Sequence, residues 1–387
     1  MMSGCREIGF VEGLPDSHAS LCARLRRSDD TNGRPEWGSS QSRCLPKQGG
    51  VKVLLLTPSP SHLFLGSSTT VTRWRDALMR RGHLCELFGT DRDGELKQSL
   101  DGTIGRFKPE LVHAHDAARM GTFLLGLRMP WVVSVSGEDI HQEMLDERHG
   151  PMVCEVFRRA RRVIVPSAQA RQLLEERVPE AIGKIDIVPR AAVKLSTAGT
   201  DIRCSLGIPR SRFIVLLPGG LRPIKGQHRA MSLARLLRAS GVDVEVVLVG
   251  PEQDPEYTRT LREIAQHEPG VRILPALSKE RMGAAYLDAD VVLSTSLSEG
   301  MSPAILEAGA LARPVVASDV PGNRELVRHN ETGLLFQTEE EMAKCVLALA
   351  KNRSAAGALG VRMCEDFRRR FDPGVEVDGL MSSYAAA

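Results

Sequence analysis

Short aliphatic runs recur along the chain and alternate with longer amphipathic stretches. Between Val51 and Val188 the apolar runs fall at 51–57, 84–88, 111–114, 131–135, 163–165 and 185–188. Continuous apolar runs of this length are typical of parallel strands that are buried on both faces. Amphipathic stretches at 69–81 and 168–177 predict helices between them. The pattern therefore predicts a parallel sheet that is covered by helices.

A second alternating series begins at Phe213. Its predicted strands are 213–217, 244–249, 271–274, 291–294, 314–317 and 334–336, and its predicted helices are 227–239, 255–267, 278–285, 303–311 and 339–351. Weak periodicity and turn residues place a linker near Ala191 to Asp201. The sequence predicts two α/β domains, 51–193 and 194–366. Two such sheets would enclose a cleft, and clefts between domains are preferred ligand sites.

Composition sets limits on this picture. A chain of 387 residues is long enough for two domains, and 42% hydrophobic with 26% charged residues is ordinary globular composition. Residues 1–50 are rich in Ser, Gly, Arg and Asp without an apolar period, so we expect a disordered extension. We also expect a cytoplasmic protein, because no apolar run is long enough to cross a bilayer and the start lacks the layout of a secretory signal.

Charge and cysteine usage exclude some functions. The net charge of +3 is too small to favour a nucleic-acid partner. The eight cysteines are scattered and form no C-x-x-C pair, which favours free thiols over disulfides or a zinc site. Basic runs at 158–162 and 368–370 are expected to be solvated helix faces; contact with an anionic membrane or acceptor is the alternative.

The segment Glu299-Gly-Met-Ser-Pro-Ala-Ile-Leu-Glu307 lies where a predicted strand gives way to a helix. Ser302 suits the N-cap and Pro303 the first helical position, so the amides of Gly300 to Ser302 are expected to face a ligand. Anions favour that position, and carboxylates accept hydrogen bonds from hydroxyls. The segment therefore predicts a site for a phosphate-bearing, polyhydroxylated ligand at Glu299 and Glu307.

A second candidate loop runs from Pro218 to Gly226 and joins a predicted strand to a helix. Lys225 and Arg222 supply positive charge for a diphosphate, and Gly219 and Gly220 permit close approach of the backbone. The chain contains neither a G-x-x-x-x-G-K-[ST] nor a G-x-G-x-x-G motif, which argues against an ATPase or a dehydrogenase.

The residues from Glu307 to Glu325, with Thr332-Gly-Leu-Leu-Phe336, resemble the carboxyl-terminal domain of glycosyltransferase family 4. Within it the chain is most similar to the glycosyltransferase 1 domain-containing proteins. The resemblance is good from Phe213 to Phe336, thinner from Val51 to Arg190 and absent before Val51. It implies the GT-B fold, which consists of two facing Rossmann-like domains. Residues 367–387 would then pack back on the first domain, with a helix break at 372–374.

The resemblance also implies a function. Members of the family are retaining enzymes (EC 2.4) that move a sugar from a nucleotide-diphosphate-sugar to an acceptor, here an unidentified small molecule, glycan or lipid. Lys225 and Arg222 would neutralise the leaving diphosphate. Glu299 and the amides of Gly300, Met301 and Ser302 would hold the donor sugar, and Glu307 would hold the nucleotide ribose. The nucleotide-sugar would be a co-substrate, and no cofactor is expected.

No essential metal is expected either. The triplets Asp91-Arg92-Asp93 and Asp288-Ala289-Asp290 have the spacing of a Mg²⁺ or Mn²⁺ motif, but turn chemistry before a buried strand explains the second triplet. His113 and His115 form a His-x-His pair without further ligands at metal-site spacing, so they do not predict a metal site.

Two positions depart from the family pattern. Gly220 occupies the usual place of an arginine, for which Arg222 is the substitute. The chain has Ser136-Gly-Glu-Asp139 where the family commonly has His-Gly-x-Asp. A serine cannot serve as the same general base at neutral pH.

We therefore assign Gly66, Ser136, Asp139 and His115 to the acceptor side, with His141 as another substitute for the missing histidine. The departures keep alternatives open: a non-catalytic nucleotide-sugar-binding or regulatory protein, or an enzyme of the same fold such as a nucleotide-sugar epimerase. A phosphorylase is less favoured because no pyridoxal-binding lysine region is evident.

Overall fold

The computed structural model describes residues 50–58, 66–89, 93–193, 195–199 and 201–387. Apart from Gly50, the segment expected to be disordered lies outside these residues, as do Asp91 and Arg92. The described chain forms two compact units. The N-terminal unit contains the described residues up to 191 together with 371–387, and the C-terminal unit contains the described residues of 192–370.

The N-terminal unit is built on a six-stranded parallel sheet in the order β2-β1-β3-β4-β5-β6. Its strands are β1 (Lys52–Leu56), β2 (Leu84–Phe88), β3 (Leu111–His115), β4 (Trp131–Ser134), β5 (Arg162–Val165) and β6 (Ile185–Ile187). The chain moves from β1 outward to β2 and then returns to the other side of β1 at β3. This switch point lies between β1 and β3, and ligands of open α/β sheets bind outside the carboxyl ends of the strands at such points.

Helices complete the N-terminal unit. They are α1 (Gly66–Arg80), α2 (Asp93–Phe107), α3 (Glu138–His141), α4 (Gly150–Arg159) and α5 (Ala168–Arg177). Short 3₁₀ turns lie at Gly121–Leu124, Glu143–Leu145 and Pro179–Ala181. The apolar strand runs predicted all six strands to within a residue or two. Helices α2, α3 and α4 were not predicted.

The C-terminal unit holds a second six-stranded parallel sheet in the order β12-β11-β10-β7-β8-β9. Its strands are β7 (Phe213–Pro218), β8 (Val244–Val249), β9 (Val271–Leu274), β10 (Val291–Ser294), β11 (Val315–Ser318) and β12 (Leu334–Phe336). Here the switch point lies between β7 and β10, which pair directly in parallel through Val215 and Val291. The loops that follow these two strands therefore leave the same edge of the sheet side by side.

The helices of the C-terminal unit are α6 (Ile202–Leu206), α7 (Leu233–Ala239), α8 (Pro255–His267), α9 (Lys279–Asp288), α10 (Pro303–Ala310), α11 (Pro321–Arg324), α12 (Glu339–Lys351) and α13 (Arg353–Arg370). The prediction of one continuous helix at 227–239 was wrong. A 3₁₀ turn at Gln227–Ala230 precedes the shorter helix α7. Such tight turns are common at helix N-termini. A further 3₁₀ turn lies at Pro223–Lys225.

Helix α13 was not predicted, and it supports α10 by close approach. A Cβ atom on Gly360 of α13 would lie 2.3 Å from the carbonyl oxygen of Ala312, just beyond α10. A Cβ atom on Gly309 of α10 would lie 2.4 Å from the ring of Phe367. Two glycines that a sequence pattern counts against a helix therefore allow these two helices to pack at short distance.

Helix α14 (Pro373–Ala385) belongs to the N-terminal unit. Asp372 caps it by accepting a hydrogen bond from the amide of Gly374 at 2.7 Å, and Pro373 occupies its first position. Val377 and Leu380 are buried in one cluster with Val53 and Leu55 of β1. Across the described ranges, none of the helices combines the length and the apolar character needed to cross a bilayer.

The Glu376 carboxylate on α14 ties this helix to α1. Its side chain is 1% exposed, forms an ion pair with Arg73, and accepts a hydrogen bond from the Trp74 indole at 2.9 Å. A carboxylate at such a depth is stable only while these donors remain in place.

We expect Glu376→Ala to lower the free energy of unfolding by about 3 kcal/mol, because it leaves Arg73 without its buried partner. Urea titration followed by tryptophan fluorescence measures this change. Asp378→Ala on the same helix is the matched control. It removes an exposed ion pair with Arg81, and a loss of at most about 1 kcal/mol is expected. Equal losses in the two variants would contradict the buried role of Glu376.

Candidate functional site

Two loops meet at the switch point of the C-terminal unit. The amide of Leu297, after β10, donates to the carbonyl oxygen of Ile224 at 2.9 Å. The Thr295 hydroxyl donates to the carbonyl oxygen of Lys225 at 2.8 Å. These bonds join the Pro218–Gly226 loop to the loop that carries Glu299. The two segments that the sequence singled out separately are therefore adjacent in the fold.

Lys225 and Glu299 form an ion pair across this junction. The Lys225 Nζ atom lies 2.6 Å from Glu299 Oε1, and the Ser296 hydroxyl donates to the same oxygen at 2.7 Å. Burial of the carboxylate acts to raise its pKa, but the charge of Lys225 and the bonds from Lys225 and Ser296, with a smaller effect of Arg222, hold the pKa of Glu299 below its usual value. Glu299 is therefore an anion at neutral pH.

The glycine at position 220 lies beside Gln253. A Cβ atom on Gly220 would lie 2.1 Å from the side-chain oxygen of Gln253. The space that an arginine side chain would need at this position is therefore filled by Gln253. Arg222 is half-buried, and its charge reaches Glu299. Gly219 has a φ of 150°, a backbone angle that favours glycine over other residues.

The second part of the site is the start of α10. Ser302 is the N-cap and Pro303 the first helical residue, as predicted, although the Ser302 hydroxyl makes no capping bond. Met301 and Ser302 are buried. Within the described part of the chain, the amides of Gly300, Met301 and Ser302 donate to no protein acceptor. Amides in this position form an anion site at a helix N-terminus.

Glu307 lies one turn into α10 and contacts α9. The hydroxyl of Tyr286, a fully buried residue of α9, donates to Glu307 Oε2 at 2.7 Å. Burial raises the pKa of Glu307 to about 7, although the bond from Tyr286 and the charge of Lys279 act in the opposite direction. The residue itself keeps part of its surface exposed.

A buried hydrogen-bond chain supports the Glu299 loop from behind. The Ser318 hydroxyl, at the end of β11, donates to the carbonyl oxygen of Ser296 at 2.6 Å, and the Asn323 amide donates to the Ser318 carbonyl at 3.0 Å. A Cβ atom on Gly322 of α11 would lie 2.2 Å from the carbonyl oxygen of Glu299. Sequence reasoning missed Ser296, Ser318, Asn323 and Tyr286, because no motif marks a residue that acts through its neighbour.

The switch point of the N-terminal unit carries a buried polar cluster. His113 bonds to the Tyr384 hydroxyl of α14 at 2.7 Å and to Ser134 Oγ at 2.9 Å, and His115 Nδ1 lies 2.8 Å from the same Ser134 oxygen. Burial lowers the pKa of His113 to about 3 and holds the pKa of His115 well below its usual value. Both rings are therefore neutral at physiological pH.

The other predicted acceptor-side residues lie in the same unit. Asp139 is buried, and its carboxylate accepts hydrogen bonds from the amides of Ala117, Ser136, Gly137 and Ile140, so it holds the loop after β4 in place. Gly66 is the first residue of α1, and His141 the last of α3. The Ser136 hydroxyl and His115 Nε2 are buried and have no partner within the described residues.

The two carboxylates of the candidate metal triplet at 288–290 already accept hydrogen bonds or ion pairs from other groups of the protein. Asp288 accepts from the amide of Ile202 at 2.8 Å, and Asp290 pairs with Arg203 and Arg353, each at 2.8 Å. Within the described ranges, no group of three or more His, Cys, Asp or Glu side chains is arranged to hold a metal ion.

The basic runs are also largely paired with acids. Arg158 and Arg159 pair with Glu155, and Arg162 pairs with Asp186. In the second run Arg370 pairs with Asp366 at 2.9 Å. These pairs favour solvated helix faces over a membrane contact.

Comparison with known families agrees with the geometry. A family model described as "Glycosyl transferases group 1" matches residues 200–368, and one described as "Glycosyltransferase Family 4" matches residues 42–192. The glycosyltransferase 1 domain-containing protein 1 of Xenopus tropicalis is 28% identical over 302 residues, which cover 76% of this chain and 86% of that protein. The resemblance stated from the sequence is thereby confirmed.

More distant relatives extend the comparison. A D-inositol 3-phosphate glycosyltransferase of Rhodococcus erythropolis is 29% identical over 252 residues, or 60% of this chain and 55% of that protein. HepE of Anabaena, solved in complex with UDP-glucose, is 18% identical with a TM-score of 0.73, over 87% of this chain and 100% of that one. Sucrose-phosphate synthase of Thermosynechococcus elongatus is 19% identical with a TM-score of 0.74, over 86% and 98%. These likenesses confirm the predicted GT-B fold class.

We expect Gly322→Ala to lower the free energy of unfolding by about 1–3 kcal/mol, because the added methyl group collides with the Glu299 backbone. Chemical denaturation of the purified protein measures the loss. Gly102→Ala in α2 is the matched control: a Cβ atom there meets nothing within 4 Å, and alanine favours a helix. A Gly322→Ala protein as stable as the control would show that α11 does not support the loop.

Proposed function

Because the chain belongs to glycosyltransferase family 4, we propose that it transfers a sugar from a nucleotide-diphosphate-sugar to an acceptor with retention of the anomeric configuration. One observation carries the proposal. At the switch point of the C-terminal unit, two adjoining loops bring together a lysine, a buried carboxylate and a set of backbone amides that have no acceptor among the described residues. This is the place in the sheet where a ligand is expected.

The cations would act on the leaving group. Departure of the nucleotide diphosphate develops negative charge, and fixed positive charge near that position stabilises the transition state more than the bound donor. Lys225 supplies a point charge. Arg222 adds a second cation and would replace the family's arginine, whose position is occupied here by Gly220. The amides of Gly300 to Ser302 would complete the anion site.

The two glutamates would bind hydroxyl groups. Lys225 and Ser296 both bond to Glu299 Oε1, so Oε2 is the oxygen that would receive the sugar hydroxyls. The low pKa of Glu299 keeps it an acceptor. Glu307, one turn further along the helix, would bind the ribose. The UDP-glucose complex of HepE supports a nucleotide-sugar donor of this kind.

The acceptor would bind at the N-terminal unit, where Ser136 and His115 lie near the carboxyl ends of β4 and β3. Ser136 has no basic side chain, and burial holds the pKa of His115 well below its usual value, so neither residue would be an effective base. The leaving phosphate would therefore accept the acceptor's proton in a same-face substitution. The name of the inositol-phosphate relative supports a hydroxylated small molecule as one acceptor class to test.

We expect Lys225→Ala to weaken donor binding by at least roughly tenfold, because it removes a charged hydrogen-bond donor from the diphosphate. Arg222→Ala is expected to act in the same direction. Calorimetry with UDP-, ADP- and GDP-sugars measures binding, and mass spectrometry of products in a cell extract measures transfer. Lys351→Ala, at an exposed helix end, is the control.

Wild-type affinity in both site variants would exclude the proposed diphosphate site. Tight donor binding by the wild-type protein with no transfer to any acceptor would favour a non-catalytic sugar-nucleotide-binding protein.

We propose further that transfer needs no divalent metal, since the acidic triplet at 288–290 is paired with backbone amides and arginines. Transfer assayed in excess EDTA is expected to keep its full rate. Loss of activity in EDTA and recovery on adding Mg²⁺ or Mn²⁺ would contradict this proposal.

A further inference from the structure

The Tyr286 hydroxyl has a choice of two acceptors on α10. Glu307 Oε2 lies at 2.7 Å and the carbonyl oxygen of Ala304 at 3.3 Å. A phenol carries one proton, and the shorter distance is typical of a bond from a hydroxyl to a carboxylate. The phenol therefore donates to Glu307. Tyr286 is fully buried, which fixes its hydroxyl in this position.

Helix α9 presents two groups to this carboxylate. Lys279 and Tyr286 are seven residues apart, which places them on the same side of the helix. The positive charge of Lys279 and the bond from Tyr286 both favour the ionised form of Glu307, against the effect of burial. These are the titratable groups that act on Glu307 from the helix packed beside α10.

We propose that Tyr286 is a positioning residue that holds Glu307 Oε2, so that Oε1 is left to accept a hydrogen bond from the ribose of the nucleotide. The inference rests on the proposed function, because it requires a ribonucleotide at Glu307. Its consequence is selectivity: the site binds ribonucleotides more tightly than their deoxy analogues, and this preference depends on a tyrosine that does not touch the ligand.

The raised pKa of Glu307 predicts how ribonucleotide binding depends on pH. Glu307 accepts ribose hydroxyls as a carboxylate, so ribonucleotide affinity rises as the pH increases through about 7. Removing the Tyr286 hydroxyl removes a bond that stabilises the carboxylate, and the pKa of Glu307 rises. The midpoint of the binding curve in Tyr286→Phe therefore moves to higher pH.

Calorimetry of UDP, ADP and GDP across the neutral pH range tests this. For the nucleotide that binds most tightly, the 2′-deoxy and 3′-deoxy analogues are titrated in parallel. The wild-type protein is expected to prefer the ribonucleotide by roughly tenfold over at least one analogue, the effect of one hydrogen bond to a charged group. Tyr286→Phe is expected to lose most of that preference while its affinity for the deoxy analogue stays unchanged.

A double-mutant cycle separates positioning from general damage to the fold. Glu307→Ala removes both the preference and the pH dependence, because no acceptor is left for the phenol or the ribose at this position. If Tyr286 acts through Glu307, adding Tyr286→Phe to Glu307→Ala causes no further loss of ribose preference. An equal loss in both backgrounds would mean that the phenol has only a structural role, and would overturn the inference.

A second measurement keeps the test valid if Tyr286→Phe does not fold. The chain has three tyrosines, and replacing them with 3-fluorotyrosine makes each phenol a stronger donor. The pH midpoint of ribonucleotide binding is expected to fall, and an unchanged midpoint would count against the inference. A wild-type protein that binds none of the three diphosphates would overturn the proposed function itself. Normal ribose preference in Tyr286→Phe would overturn this inference alone.

Discussion

The bond between Lys225 and Glu299 joins the two strands that flank the switch point of the C-terminal sheet. Each residue lies in a loop that follows one of these strands. The Leu297 amide and the Thr295 hydroxyl hold the loops together by donating to the carbonyl oxygens of Ile224 and Lys225. The remaining candidate groups on the Glu299 side follow along the chain from this junction. Gly300 to Ser302 continue directly from Glu299 into α10, and α10 carries Glu307.

Stability alone does not explain such a pair. Removing two charges from water costs about as much as their attraction returns, so a buried ion pair is weak evidence for a more stable fold. Here the pair keeps a cation and an anion at fixed positions next to the amides of Gly300 to Ser302. In the proposed function, a diphosphate would take over the charge of Lys225, and the Glu299 carboxylate would then bind neutral hydroxyls. Ser296 donates to Glu299, and Ser318 donates to the Ser296 carbonyl oxygen, so the loop keeps bonds that do not depend on Lys225.

The sequence predicted the framework well because its signals are local. Buried parallel strands are short continuous apolar runs, and the N-cap of α10 follows from Ser302 and Pro303. Long-range packing was not predictable in the same way. Helix α13 contains Gly357 and Gly360, and glycine disfavours a helix. The reason for Gly360 is its close contact with Ala312, which the sequence does not show. Two contacts join residues that are distant in the chain: Gln253 lies beside Gly220, and Tyr286 bonds to Glu307. No sequence motif connects the members of either pair.

The buried titratable groups divide into two kinds. In the N-terminal unit, burial keeps His113 and His115 neutral, so these histidines do not change charge near neutral pH. Carboxylic acids do so instead: burial raises the pKa of Glu307 to about 7, and burial with the nearby charge of Asp139 raises the pKa of Asp116 to about 8. Histidine is the usual group to titrate in this range, but His113 is enclosed by Trp74, Ser134 and Tyr384. At these buried sites, a change of charge near neutral pH therefore belongs to Glu307 or Asp116 rather than to His113 or His115.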